Sequence, residues 1–376
     1  MQNVPGNRLS ISWTGGRVEA KDGGDMDADN RSDDNRVPVP GVKLVIHRFS
    51  HHGARSGYHQ LLRYLAPDSV ICSRLNMILS LGATLKRVHS HLNILTDLEA
   101  APHLLRRRRT IFHYVYPENT LWFLPRIKGR HKVAVTMHQP VEAMDVWLGR
   151  VEGRYRRVDG FIALCADQER YLRTRFPNAH VARIHHGVDT EYFHPAPRPE
   201  AAGTGGRGLV CLTVGNWMRD FALLRDIASL LTDDPSFRFR VVAMPKHRAG
   251  FQFSPNVEFL WDLSDEEMRA EFQSADVLLL PLLGATANNA LNEAMACGLP
   301  VVASDLPALR EYAGDEAAAW VRGNNRDAYL GILRALASDP ERRRRMGLAA
   351  RTRAEAVAWP AVARRMAEFY KTLEGR

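Results

Sequence analysis

The stretch ADVLLLPLLGATANNALNEAMACGLPVVASD, residues 275–305, decides the fold. Its apolar run predicts a buried strand over residues 276–281, a loop of small residues follows, and the next apolar positions recur at helical spacing over residues 288–297. Gly298 stands where a helix takes a left-handed residue just past its end, and Pro300 forbids continuation, so the chain enters a second apolar strand at 300–303. Strand, helix and strand joined by short connections form a βαβ unit, which implies a parallel sheet.

The same grammar runs outward in both directions. Toward the N-terminus, strands are expected at 42–47, 110–115, 132–137, 160–164 and 181–185, then at 209–214, 238–243 and 257–260, with helical patterns between many of them. Residues 195–208, Pro-Ala-Pro-Arg-Pro and then four glycines, interrupt the series and read as a linker. Residues 1–40 hold six Asp and two Gly-Gly pairs and read as a disordered leader. Residues 359–373 place Val362, Met366, Phe369 and Tyr370 on one helical face, as in a helix returning to the first domain. The expected division is a leader (1–40), a first α/β domain (41–195), a linker (196–208), a second α/β domain (209–357) and a crossover helix (358–376).

A chain of 376 residues, 45% hydrophobic and 25% charged, can bury one core in each of two domains. That excludes collagen-like and globally disordered classes. The net charge is +9; the leader, with seven acids against five bases, carries −2, which leaves +11 on the remainder and predicts an anionic partner. Four scattered cysteines show neither a CxxC pair nor a disulfide framework, and no stretch approaches the ~20 apolar residues of a membrane span. A cytoplasmic location, peripheral at the inner membrane face, is the expectation.

The start of the 288–297 helix is built for an anion. Free N–H groups of its first turn, at Asn288, Asn289 and Ala290, carry the positive end of the helix dipole, and small Gly284, Ala285 and Ala287 let a phosphate approach. Glu293 lies about 7.5 Å further along the axis, where a carboxylate can accept hydrogen bonds from ribose hydroxyls. A capped, buried helix with a structural Glu fits the spacing equally well.

The run LNEAMACGLPVVASD resembles the nucleotide-sugar-binding segment of family 4 glycosyltransferases, of the GT-B fold. HHGVDTEYFHP (185–195), VEFLWDLSDEEMRAEFQSADVLLLP (257–281) and the terminal WPAVARRMAEFY resemble the same family in order along the chain. The resemblance implies an α/β fold of two Rossmann-like domains facing an interdomain cleft, with a C-terminal crossover helix. It also implies transfer of a sugar from a nucleoside diphosphate sugar to an acceptor hydroxyl, with retention and without a cofactor or obligatory metal, in polysaccharide, glycolipid or glycoconjugate synthesis. By the same resemblance Glu293 binds the donor ribose, the N–H groups near Asn289 and Ala290 hold the diphosphate, and Leu260 and Trp261 line the base pocket, unless they only pack in the core.

Two positions depart from the family pattern. Its second glutamate, eight residues before the ribose-binding one, is here Ala285, and the Gly-Arg-Leu loop after the first strand of the second domain is here VGNWMRDF. Gly215 is kept, Asn216 replaces the arginine, and Arg219 becomes the nearest guanidinium for phosphate oxygens. In the first domain HRFSHHGARSGYHQLLRYL (47–65) resembles the family's glycine loop, with Gly53 and Gly57 letting backbone approach ligand. His138 follows a strand and is placed near the sugar by the resemblance; His113, Glu118 and Asn119 are candidates for the acceptor. Ala285 also motivates a rival reading, a catalytically silent nucleotide-sugar-binding protein or transferase partner.

Other signals point to simpler roles. His51, His52, His89, His91, His185 and His186 lack metal-ligand spacing. The runs 106–109 and 342–345 are Arg-rich without aromatic stacking residues, which argues against nucleic acid. The second reads as a solvated helix face, and the first as a contact with an anionic membrane where lipid-linked acceptors reside.

Overall fold

The computed structural model describes residues 36–46, 55–72, 94–197, 208–251 and 254–376. Gly53, His51, His52, His89, His91, most of the leader and most of the linker lie outside these residues. The first sheet comprises β1 (Val37–Ile46), β2 (Leu65–Cys72), β3 (Ile111–Tyr114), β4 (Lys132–Met137), β5 (Gly160–Ala163) and β6 (His180–Arg183), in the order β2-β1-β3-β4-β5-β6. The second comprises β7 (Leu209–Val214), β8 (Phe237–Val242), β9 (Val257–Leu260), β10 (Val277–Leu280), β11 (Val301–Ser304) and β12 (Ala318–Val321), in the order β12-β11-β10-β7-β8-β9. Every pairing in both sheets is parallel.

The helices of eight residues or more are α1 (Val141–Tyr155), α2 (Ala166–Arg175), α3 (Phe221–Leu230), α4 (Asp265–Ser274), α5 (Asn289–Ala296), α6 (Pro307–Ala317), α7 (Arg326–Ser338), α8 (Pro340–Ala356) and α9 (Trp359–Glu374). Central strands such as β7, β10 and β11 are buried along their whole length. That is why their sequences are continuously apolar rather than alternating. Each sheet has a hydrophobic cluster on both faces, the two-sided burial that helical crossovers impose on a parallel sheet.

The α5 helix ends as its sequence demands. Gly298 takes φ +74°, its N–H reaches the Met295 carbonyl, and the Leu299 N–H reaches Ala294, the paired bonds of a Schellman motif. The last helix, α9, lies on the first sheet: Val362, Met366, Phe369, Tyr370 and Leu373 are buried against Val42, Leu44 and Ile111. It is stitched there by hydrogen bonds from the Val188 N–H to Val357 O and from the Trp359 N–H to Val188 O. A Cβ on Gly187 would sit 2.3 Å from the Trp359 ring, so only glycine admits the indole.

Two strands were not expected from sequence, β2 and β12, and both are outermost in their sheets. Edge strands need hydrophobic character on fewer sides and tolerate Pro67, which a central strand would not. Val37 to Pro40, read as the end of the leader, are instead the first residues of β1, where Val37, Pro38 and Val39 pair with Leu65, Ala66 and Pro67. The run 342–345 is not wholly a solvated face: Arg343 is buried and its guanidinium donates to the carbonyls of Leu336 and Ala337, closing the C-terminal end of α7.

Candidate active site in the interlobe cleft

In each sheet the chain reverses its direction of travel once, between β1 and β3 and between β7 and β10. Such switch points leave a crevice beyond the carboxyl ends of the strands, where α/β proteins bind ligands. Segments 55–57 and 115–118 border the first crevice; segments 215–220 and 281–289 border the second.

Glu293 on α5 is 6% exposed and meets the other lobe: its Oε1 accepts a hydrogen bond from the Ser56 hydroxyl at 2.5 Å. The neighbouring Arg55 N–H donates to Asp265 Oδ2 at the start of α4, 3.0 Å away. Burial pushes the Glu293 carboxyl up to about 8, the Ser56 bond opposes that shift, and the charge on Asp265 adds to it. At neutral pH the group is therefore mostly protonated. A narrow pocket beside it is lined by Gly57, His186, Asn289, Asn292 and Trp359, and the Asn292 Oδ1 has no hydrogen-bond partner among the described residues. Gly57 itself adopts φ +93°.

Asn288 caps α5, its side chain accepting the Leu291 N–H at 3.1 Å. The N–H groups of Asn289 and Ala290, one and two positions inside the helix, have no carbonyl four residues back within it and are the ones a bound anion can use. Placement of Asn288, Asn289, Ala290 and Glu293 on one buried helix is what their spacing predicted; the bond to Ser56 was not readable from sequence.

The loop after β7 is folded on itself. Gly215 takes φ +101°, and a Cβ there would lie 2.6 Å from Arg219 Nη2. Arg219 Nε and Nη2 donate to the Val214 carbonyl at 2.9 and 2.6 Å, and Nη1 donates to Trp217 O at 2.8 Å. The guanidinium thus spends three of its five N–H groups on its own loop and keeps two for a ligand oxygen. Desolvation lowers it to about 10, so it stays cationic at neutral pH. Asn216 is turned away from this guanidinium, its Oδ1 accepting the Met244 N–H. Bonds from Asp220 N–H to Pro281 O and from Leu283 N–H to Met218 O fasten this loop to the one that precedes α5.

Leu260 ends β9 half-buried, packed against the core, whereas Trp261 is 42% exposed with the Arg248 guanidinium 4.9 Å above its ring. Trp261 is therefore not a core side chain.

In the first lobe His138 follows β4, and its Nε2–H donates to Val115 O at 2.7 Å, which fixes that nitrogen as the protonated one. The ring stacks on Tyr116, and the His138 N–H donates to Glu118 Oε1 at 2.9 Å. Burial raises the Glu118 carboxyl to about 7. Thr286 from the second lobe donates to the His138 carbonyl at 2.8 Å, bringing the Ala285 loop against this strand end. His113 does not face the cleft: it is fully buried, with its nitrogens on Tyr370 and Thr136, which rules out contact with an acceptor.

Next to this contact a cleft of about 540 Å³ runs between the lobes, lined by Glu142, Asp167 and Arg170 on one side and by Gly284, Ala285 and Thr286 on the other. Ala285 leaves its own loop without a carboxylate there; the carboxylates in the lining, Glu142 and Asp167, belong to the first lobe. A further interlobe tie went unread in the sequence: Glu311 on α6 accepts from Ala166 N–H at 2.8 Å and pairs with His185 at 2.7 Å and Arg183 at 3.1 Å. Glu311 sits on an unremarkable helix with no motif around it.

Comparison with known proteins agrees with this architecture. Residues 209–339 match the model of the family Glycosyl transferases group 1. D-inositol 3-phosphate glycosyltransferase of Streptomyces scabiei is 28% identical over 281 residues, covering 66% of this chain and 63% of that one; its Streptomyces coelicolor counterpart is 28% identical over 226 residues, covering 50% of each. The chain thus spans between about half and 63% of the length of these curated relatives. Among solved structures, sucrose-phosphate synthase from Thermosynechococcus elongatus superposes with a TM-score of 0.69 at 17% identity, covering 90% of this chain and all of that one. Anabaena HepE in complex with UDP gives 0.64 at 14% identity, covering 88% and 99%. The chain therefore has the GT-B fold, and its second lobe is similar to the glycosyl transferases group 1 family over residues 209–339.

Proposed function

We propose that this chain transfers a sugar from a nucleoside diphosphate sugar to an acceptor hydroxyl in the interlobe cleft, with retention at the anomeric carbon and without an obligatory metal, on the cytoplasmic side of the cell. The observation that carries the reading is Glu293, buried beside the open first turn of α5 at the switch point of the second sheet. A carboxyl there receives ribose hydroxyls, the Asn289 and Ala290 N–H groups take the diphosphate, and the two remaining N–H groups of Arg219 offset the charge of the leaving group. Leu260 and Trp261 border the base. His138, with Nε2 held on Val115, faces the sugar side of the cleft through its strand-end position.

The name of the Streptomyces relatives supports glycosyl transfer, and the UDP bound to HepE supports a nucleoside diphosphate donor. They do not favour a silent binding protein, the rival that Ala285 motivates by standing where the family pattern has its second glutamate. The test is a panel of uridine, guanosine and adenosine diphosphate sugars with nucleotide release as readout. Release with one donor supports transfer; binding without turnover, even with extracts supplying acceptors, overturns it. Glu293→Ala should raise the dissociation constant for the nucleotide at least tenfold by calorimetry, and unchanged binding would refute the ribose role.

A further inference from the structure

Asn292 stands on α5 one residue before Glu293 and is 1% exposed. Its amide nitrogen donates to the His186 carbonyl at 3.4 Å. A carbonyl can only accept, so this contact fixes which end of the amide is the nitrogen. Oδ1 is left as a buried acceptor that meets no donor among the described residues. Such an oxygen is costly to bury unmet, which points to a ligand or a water as its partner. The cavity that Asn292 lines is shared with Glu293, Asn289, Gly57 and Arg55 and measures about 10 Å³, room for one oxygen atom with its hydrogen. Two of its neighbours have no proton to offer. The His186 Nδ1–H is spent on the Gly187 carbonyl, and Glu293 Oε1 is itself accepting from Ser56.

We propose that Asn292 is a second ribose-reading residue: one ribose hydroxyl of the donor nucleotide enters this cavity and donates to Asn292 Oδ1, while the other displaces Ser56 from Glu293. The assignment rests on the donor role proposed for Glu293 and adds to it a specific discrimination. An acceptor facing a one-oxygen cavity selects a hydroxyl, which fits the space and carries a proton. A phosphate oxygen has no proton to give and is better served by the Asn289 and Ala290 N–H groups at the start of the same helix. Two acceptors from successive positions of α5 border one small space, which is what two vicinal hydroxyls require. A deoxyribose lacks one of the two oxygens and leaves its acceptor unmet in a closed site, so the chain selects ribonucleotides.

Calorimetry of the full chain with UDP, GDP and ADP, each beside its 2′-deoxy and 3′-deoxy forms, tests it. For the nucleotide that binds, both analogues should bind the wild type about tenfold more weakly. Asn292→Leu should weaken the ribonucleotide about tenfold and abolish the penalty for one analogue only, while the penalty for the other, read by Glu293, persists. Asn292→Ala, which adds no bulk, should do the same. Because the leucine removes an unmet acceptor, its urea midpoint should stay close to wild type, which separates lost binding from lost fold. Analogues that bind the wild type as well as the ribonucleotide overturn the proposal. So do analogue penalties in Asn292→Leu equal to those of the wild type; if Glu293→Ala still weakens binding, the role of Asn292 falls alone. Glu293→Ala without effect, or no binding of any of the three nucleotides, overturns the donor site and the role of Asn292 together.

Discussion

Glu293→Gln isolates the electrostatic state of the buried carboxyl beside the first turn of α5. Burial raises the Glu293 carboxyl from its ordinary 4.5 to about 8. Between those values the native protein holds a proton that the unfolded chain releases, so wild-type stability falls as pH rises through this window. Below 4.5 both states hold the proton and nothing is lost. At about 1.4 kcal/mol per unit the ceiling of that loss is about 5 kcal/mol, complete only above pH 8. Glutamine keeps an oxygen for the Ser56 hydroxyl and cannot ionise. The variant should match wild type near pH 4.5 and exceed it increasingly up to pH 8, where the urea midpoint shifts by about 1.5 M if the slope is about 3 kcal/mol per molar. Unfolding curves at pH 5, 6.5 and 8.5, followed by tryptophan fluorescence, read this directly. A difference that does not change with pH, or a variant less stable than wild type at pH 8.5, would refute a buried, mostly protonated Glu293.

Three further outcomes follow from the same geometry. Ser56→Ala removes the hydroxyl bonded to Glu293, which under the proposed function a donor ribose displaces, so UDP affinity measured by calorimetry should rise about three- to tenfold; a fall would mean that Ser56 helps hold the nucleotide. Gly215→Ala forces an unfavourable φ and drives a methyl group into Arg219, so it should cost about 1–3 kcal/mol in urea unfolding and weaken UDP binding together; a variant as stable as wild type contradicts the crowding. Trp359→Ala should cost about 3–5 kcal/mol and raise hydrogen exchange in β1, against which α9 packs, while leaving exchange in β11 unchanged.

Much of this architecture was legible because a buried parallel strand leaves a continuous apolar run and a helix end leaves Gly and Pro. The α5 unit shows it: Asn288 as the cap, Gly298 in the left-handed region and β11 beginning at Val301 all follow from residue chemistry within a few positions. The outer strands β2 and β12 escaped because an edge position does not demand that signal. His113 and Arg343 depart from their sequence expectation for a different reason. Each is a polar residue whose buried partner, Tyr370 for one and the end of α7 for the other, has no local mark in the sequence.

Sequence alone determined two parallel α/β lobes, the anion-ready start of α5 and the carboxyl that follows it, because these depend on spacing within a single βαβ unit. Tertiary structure decided what the carboxyl meets. Ser56 lies 237 positions away and Glu311 reaches Ala166 across 145, so the protonation of Glu293 and the clasp between the lobes arise from contacts whose partners no periodicity could align.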